Sequence, residues 1–146
     1  PDVAVFGAKD AQQVFLVREM LARQNGVRPR PPIELIVAPT VRESSGLAMS
    51  SRNRYLTETE RVIARDISAA LRAGEKAAAS GGSPSEALAA AEQRLALTPE
   101  AKLEYLALVN SESFTVIGDE FSGEALLIIA AKVGNVRLID NQTLIF

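Results

Sequence analysis

The sequence predicts an α/β fragment, the βαβ end of a parallel-sheet domain, followed by a small α+β domain with an antiparallel sheet. Three observations carry this prediction. Two short aliphatic runs, Val3 to Phe6 and Ile33 to Val37, bracket a stretch with helical apolar spacing. Two helix-start signals follow, at Thr57 and Ser83. Three further aliphatic runs fill the tail, with a glycine turn between the last two.

Taken in order, Val3 to Phe6 reads as a strand ending at Gly7, and Lys9-Asp10 opens a helix running to about Asn25. Val14, Val17 and Leu21 lie on one side of that helix and Leu16 and Met20 on another, so much of its circumference is expected to be buried. Ile33 to Val37 is the second strand, and strand, helix, strand with short joints is the unit of a parallel sheet, whose ligand sites lie at the carboxyl ends of the strands. Thr57 followed by Glu60 forms a capping box for a helix to about Ser80, with Val62, Ile63, Ile67 and Leu71 on one face. "SGGS" at Ser80 to Ser83 breaks it. Ser83, Pro84 and Glu86 then start an alanine-rich helix that stops near Pro99. Strands are expected at Leu103 to Val109, Ala125 to Val133 and Val136 to Ile139, with Gly134-Asn135 supplying the positive φ angles of a hairpin. The domains are expected at 1–42 and 43–146, with the change of character in the loop from Pro39 to Asn53.

Composition narrows the chemistry. A net charge of −2 offers no bulk basic field for nucleic acid or an anionic membrane, and no apolar run reaches the roughly 18 residues of a membrane span. Cysteine and histidine are both absent. Disulfides, the usual zinc sites, thiol catalysis and histidine-based triads are therefore unavailable within this chain, and a cytoplasmic protein is the default. Lysine, arginine, carboxylates and hydroxyls remain, an inventory suited to stabilising charge on phosphates. The chain opens without Met inside what reads as a strand, so it is expected to be part of a longer protein.

Two polar loops follow strand ends: Gly7 to Gln13 and Pro39 to Asn53. The second contains "MSSRN", two hydroxyls and a guanidinium just ahead of a capped helix, which can supply donors to a polyanion. Alone, that stretch reads more readily as a solvated loop pairing with surface carboxylates, and Arg42, Glu43 and Arg54 read as an ion-pair set that shapes it. Lys9, Asp10 and Gln13 alone are an ordinary exposed helix start, and Met49 a core plug.

"FGAKDAQQ", "PTVRESSGLAMSSRNRYL", "EYLALVN" and "RLIDN" together resemble, in order and spacing, the C-terminal half of the pantothenate synthetase (pantoate:beta-alanine ligase) family. One departure is the proline-rich joint "GVRPRPP", Gly26 to Pro32, which looks longer than the family's and is read as a surface elaboration. The resemblance implies the end of a Rossmann-like domain of the nucleotidylyltransferase kind, followed by a C-terminal lid domain. It implies ATP, with Mg2+ carried by the nucleotide, as the activating reagent and pantoate and beta-alanine as the substrates. Pantoyl adenylate would be the intermediate, AMP and pyrophosphate would be released, and the assembly would be a homodimer. No dedicated metal ligands are implied in this chain, nor any nucleic-acid or membrane partner. Lys9 resembles the lysine on the ATP phosphates, Asp10 the acceptor for the ribose hydroxyls, Gln13 the amide that binds pantoate, and Gly7 a point of close backbone approach. Val41 and Met49 resemble residues whose backbone reads the adenine edge. Ser50, Ser51 and Arg52 resemble this family's form of the loop that grips the triphosphate.

Because the family's His-x-Gly-His motif lies outside this chain, the chain alone is expected to be inactive. A lid or interaction module without catalysis, or a related ligase with another acid or amine, are the alternatives. Two further expectations concern exposure and order. Val3, Val5, Val14, Val17, Ile33, Leu35 and Val37 are expected to leave apolar surface that drives self-association, and the Pro39 to Asn53 loop is expected to be ordered only with nucleotide.

Overall fold

The computed structural model describes residues 1–26 and 31–146. It is an α/β fold with a parallel sheet and an antiparallel three-stranded sheet, in two compact units, Pro1–Thr40 and Val41–Phe146. Four residues of the proline-rich joint, 27–30, lie outside the described residues.

In the first unit, β1 (Val3–Gly7) and β2 (Glu34–Ala38) pair in parallel from Val3 opposite Glu34 to Gly7 opposite Ala38. Between them runs α1 (Ala11–Asn25). The Asn25 amide grips both backbone groups of Ile33, donating to its carbonyl at 3.2 Å and accepting from its N–H at 3.0 Å, which sets where β2 begins. Only Val14 and Leu21 of α1 are buried; Val17 is half-buried and Leu16 and Met20 are exposed, so the expected broad burial is corrected to a narrow stripe. Paired strand residues share a face, so Val3, Val5 and Ile36 form one apolar face, and all three are exposed. Val14, expected among the exposed residues, is instead buried, and Ile33 and Leu35 are half-buried.

The second unit has a dense core. Helix α2 (Glu58–Ala79) begins with the Thr57–Glu60 capping box and α3 (Pro84–Ala96) with that of Ser83 and Glu86, each with both reciprocal hydrogen bonds. They accompany a sheet in the order β3 (Ala101–Asn110), β4 (Glu124–Val133), β5 (Val136–Ile145), antiparallel throughout. Ile67 and Leu71 of α2 join Leu127, Ile129 and Val133 of central β4 as its largest fully buried side chains. Val62, read on the buried face of α2, is exposed. Gly74 allows the close approach of these layers, since a Cβ there would lie 2.6 Å from Leu127 Cδ2 and 3.0 Å from the Ala87 carbonyl oxygen. At the β4–β5 turn the positive φ belongs to Gly134 alone, at 55°, and not to Asn135. Strand β5 continues six residues beyond the expected Ile139, through Asp140, Asn141 and Gln142. These polar residues interrupt the apolar signal of a strand, and the side chains of Asp140 and Gln142 are engaged by Arg42 and Glu75.

Candidate functional site

In the first unit the turn after β1 is built from the backbone. The Ala8 N–H donates to the Ala38 carbonyl at 2.8 Å, and the Asp10 N–H reaches the Gly7 carbonyl at 3.3 Å. Lys9 and Asp10 thus stand at the carboxyl ends of two parallel strands and at the mouth of α1. Asp10 is the N-cap residue, yet its side chain makes no capping hydrogen bond, so its carboxylate is not used by the helix. Gln13 is exposed in the first turn. Gly7 has no positive φ, and a Cβ there would meet nothing within 4 Å, so neither turn geometry nor internal packing demands a glycine.

In the second unit the region read as a slack loop is a small hairpin followed by a turn of 3-10 helix. Arg42 and Ala48 form a bridge, the Met49 N–H donates to the Val41 carbonyl at 2.9 Å, and the Glu43 N–H donates to Leu47 at 2.9 Å. Gly46 turns the tip with φ 89°, where a Cβ would meet the Arg72 guanidinium at 2.8 Å. Val41 and Met49 side chains are exposed, and one of their backbone pairs is already closed within the hairpin. The Ser50 hydroxyl accepts the Arg52 N–H at 3.2 Å and caps the short helix Ser51–Tyr55.

Around that helix the arginines divide by partner. Arg42 forks onto Asp140 of β5 at 2.6 and 3.0 Å, and also reaches the Gly46 and Asn141 carbonyls. Glu43 takes Arg61 at 2.9 Å and the Asn53 amide at 3.2 Å. Arg54 lies over the Tyr55 ring. The expected ion-pair set is therefore corrected: Arg42 and Glu43 each have partners elsewhere in the unit, and Arg54 is held by an aromatic ring. Arg52 is exposed, and its guanidinium has no hydrogen bond or ion pair among the described residues. It borders an open groove of about 580 Å³ with Tyr55, Asn135, Val136 and Arg137. Arg137 is engaged there by the Glu104 carboxylate at 2.6 Å, which raises its pKa above the ordinary value.

The Pro39 to Asn53 segment, expected to be ordered only with nucleotide, already closes its hairpin by backbone hydrogen bonds, with Met49 on Val41 and Glu43 on Leu47. Asp140, Asn53 and Arg61 were not singled out from sequence; for Asp140 the polar run inside an aliphatic tail was the available signal. Among the described residues no group of three or more acidic side chains is placed to hold a metal ion. No described helix is long and apolar enough to cross a membrane.

A model of the pantoate-beta-alanine ligase family matches residues 1–143. The chain belongs to that family. It is 49% identical over 148 residues to pantothenate synthetase of Thermobifida fusca, covering 99% of this chain and 48% of that protein. The crystal structure of pantothenate synthetase from Thermus thermophilus superposes with a TM-score of 0.88 at 43% identity, covering 97% of this chain and 49% of that one. Pantoate-beta-alanine ligase from Francisella tularensis, complexed with beta-gamma ATP and beta-alanine, gives a TM-score of 0.62 at 29% identity, over 97% of this chain and 43% of that one. The chain spans about half the length of the pantoate-beta-alanine ligase relatives it matches.

Proposed function

We propose that this chain contributes part of the active site of an ATP-dependent ligase that joins pantoate to beta-alanine. In this reading the first 40 residues are the end of a Rossmann-like nucleotide-binding domain and the remainder is its C-terminal domain. A pantoate carboxylate oxygen attacks the α-phosphorus of ATP and pyrophosphate leaves; the beta-alanine amine then attacks the acyl carbon of pantoyl adenylate and AMP leaves. Lys9 steadies phosphate charge, Asp10 accepts from the ribose hydroxyls, Gln13 binds pantoate, and backbone groups of Gly7, Val41 and Met49 line the nucleotide. Ser50, Ser51 and Arg52 hold the triphosphate.

The observation that carries the reading is Arg52. In a segment where neighbouring Arg42, Arg54 and Arg61 are each engaged, this one guanidinium is exposed and follows two serines in the chain, a donor set suited to an anionic ligand. The free carboxylate of Asp10 and the open approach to Gly7 suit the sugar and phosphates in the same way. With no acidic cluster among the described residues, Mg2+ fits as an ion carried by the phosphates, where it would offset their charge.

Taken from its whole reading frame, the protein should release AMP only when ATP, pantoate and beta-alanine are all present. AMP with another acid and none with pantoate would overturn the reading. Lys9→Ala should cut kcat by about 100- to 1000-fold, the range for losing one group that stabilises transition-state charge, in protein shown by thermal melting to be folded at the assay temperature. Near-normal turnover would make Lys9 ordinary surface. The 146-residue chain alone should show no turnover and little affinity for ATP by calorimetric titration.

A further inference from the structure

We infer that Arg42, Asp140 and Asn53 are positioning residues that set the geometry of Ser50, Ser51 and Arg52, an inference that rests on the function proposed above. Asp140 sits inside β5 opposite Ile129, with its side chain 3% exposed. A carboxylate there needs strong partners. Both its oxygens take the Arg42 fork, and Oδ1 also accepts the Asn141 N–H at 2.8 Å. The same guanidinium donates to the Gly46 carbonyl at 3.1 Å, so one side chain locks the hairpin tip and docks the hairpin on the sheet.

The second anchor lies just past Arg52. Asn53 is 3% exposed, and its Nδ2 donates to Glu43 Oε1 at 3.2 Å and to the Ala48 carbonyl at 3.1 Å. Arg61 completes this anchor, donating to Glu43 Oε1 at 2.9 Å and to the Asn53 carbonyl at 3.2 Å. Asn53 Oδ1 is buried and has no hydrogen-bond partner among the described residues. An aspartate at 53 would repel Glu43, and an apolar residue would strip the Ala48 carbonyl of its donor. The amide's two N–H groups therefore explain why the unpaired oxygen is tolerated.

Buried ion pairs are poor stabilisers, since well-packed apolar residues often do as well. A planar fork on a carboxylate does fix direction, which apolar contact does not. Ser50, Ser51 and Arg52 are thus the short arc between two buried anchors, with Arg52 itself left unengaged.

The test compares stability with turnover in the protein from its whole reading frame. Replacing the pair by apolar residues, Arg42→Met with Asp140→Leu, leaves no unpaired buried charge and should still fold, with a melting temperature lowered only by the loss of donors to the Gly46 and Asn141 carbonyls. Its kcat/KM for ATP should nevertheless fall about 100-fold, the effect of an ångström-scale misplacement of groups around a reacting centre. Arg42→Lys keeps the charge but loses the fork, and should lower kcat/KM for ATP about tenfold when assayed well below its own melting temperature; it decides the matter if the double variant does not fold. Parental kcat/KM in a folded double variant, or in Arg42→Lys, would overturn the positioning role. Ser51→Ala and Arg52→Ala separate the two levels of inference. If they turn over normally, the site reading falls and takes the positioning role with it. If they are impaired while the double variant is normal, only the positioning role falls.

Discussion

The two units of this chain treat their apolar residues in opposite ways. In residues 1–40, Val3, Val5 and Ile36 line one face of a two-stranded parallel sheet and are 43%, 63% and 43% exposed. In residues 41–146, Leu127, Ile129 and Val133 of β4 are fully buried, within one cluster that includes residues of α2 and α3. Parallel strands are ordinarily covered on both faces, whereas an antiparallel sheet needs only one. The same kinds of side chain thus form a core in one unit and an open surface in the other, and whether another layer covers the strands decides which. The chain's span of about half its relatives' length fits that contrast.

The sharpest way to break the comparison is native-state hydrogen exchange. Amides of β4 should open only with global unfolding, while those of β1 and β2 should open locally, with exchange faster by about a thousandfold, or about 4 kcal/mol. Equal protection in both sheets would show that the exposed face does not weaken the first unit. Next in size is a pair of truncations followed by chemical denaturation. Leu127→Ala should cost about 2–5 kcal/mol through the cavity it leaves, and Val5→Ala, which removes atoms already in water, about 0.5 kcal/mol or less. A comparable loss at both positions would erase the distinction. The smallest effect lies at the surface of the second unit, where Asp119 accepts hydrogen bonds from the Ser85 N–H at 2.7 Å and its hydroxyl at 2.9 Å. Those bonds, the backbone one first, hold its pKa below the ordinary 3.8. A lowered carboxylate pKa adds stability above the unfolded value and loses it as pH falls through the folded one. Asp119→Asn should therefore lower the melting temperature slightly near neutrality, and the difference from the parent should shrink as pH falls below 3.8 and vanish below the lowered folded-state pKa. A difference that persists unchanged into acid would mean that the carboxylate's charge contributes nothing.

Legibility from sequence followed the range of the interactions involved. Thr57 with Glu60 and Ser83 with Glu86 were readable because each cap is closed within three residues, and both boxes are present. The circumference of α1 was misjudged because periodicity reports which residues are apolar, not how many neighbours exist to cover them; Leu16 and Met20 remain exposed. The far half of β5 was missed because Asp140 and Gln142 find their partners on Arg42 and Glu75, positions that no local window contains. Of the candidate site, the proposed ligand-binding residues Ser50, Ser51 and Arg52 could be named through a family resemblance. Their supports could not: Asn53 sat inside the quoted motif as one more polar residue, and its burial depends on Glu43, Ala48 and Arg61 together.

The Arg42–Asp140 pair also bears on the order in which the molecule assembles, because it joins residues 98 positions apart. A contact of such sequence separation closes a long loop, and the entropy of that closure must be met before the contact rewards it. The hairpin tip therefore takes its final shape only after β5 has zipped onto β4, whereas α2 and α3, capped by their own neighbours, can form early. During refolding, helical signal should return ahead of the environment around Ser50 to Arg52, and a molecule with an unfinished sheet would present that segment unformed.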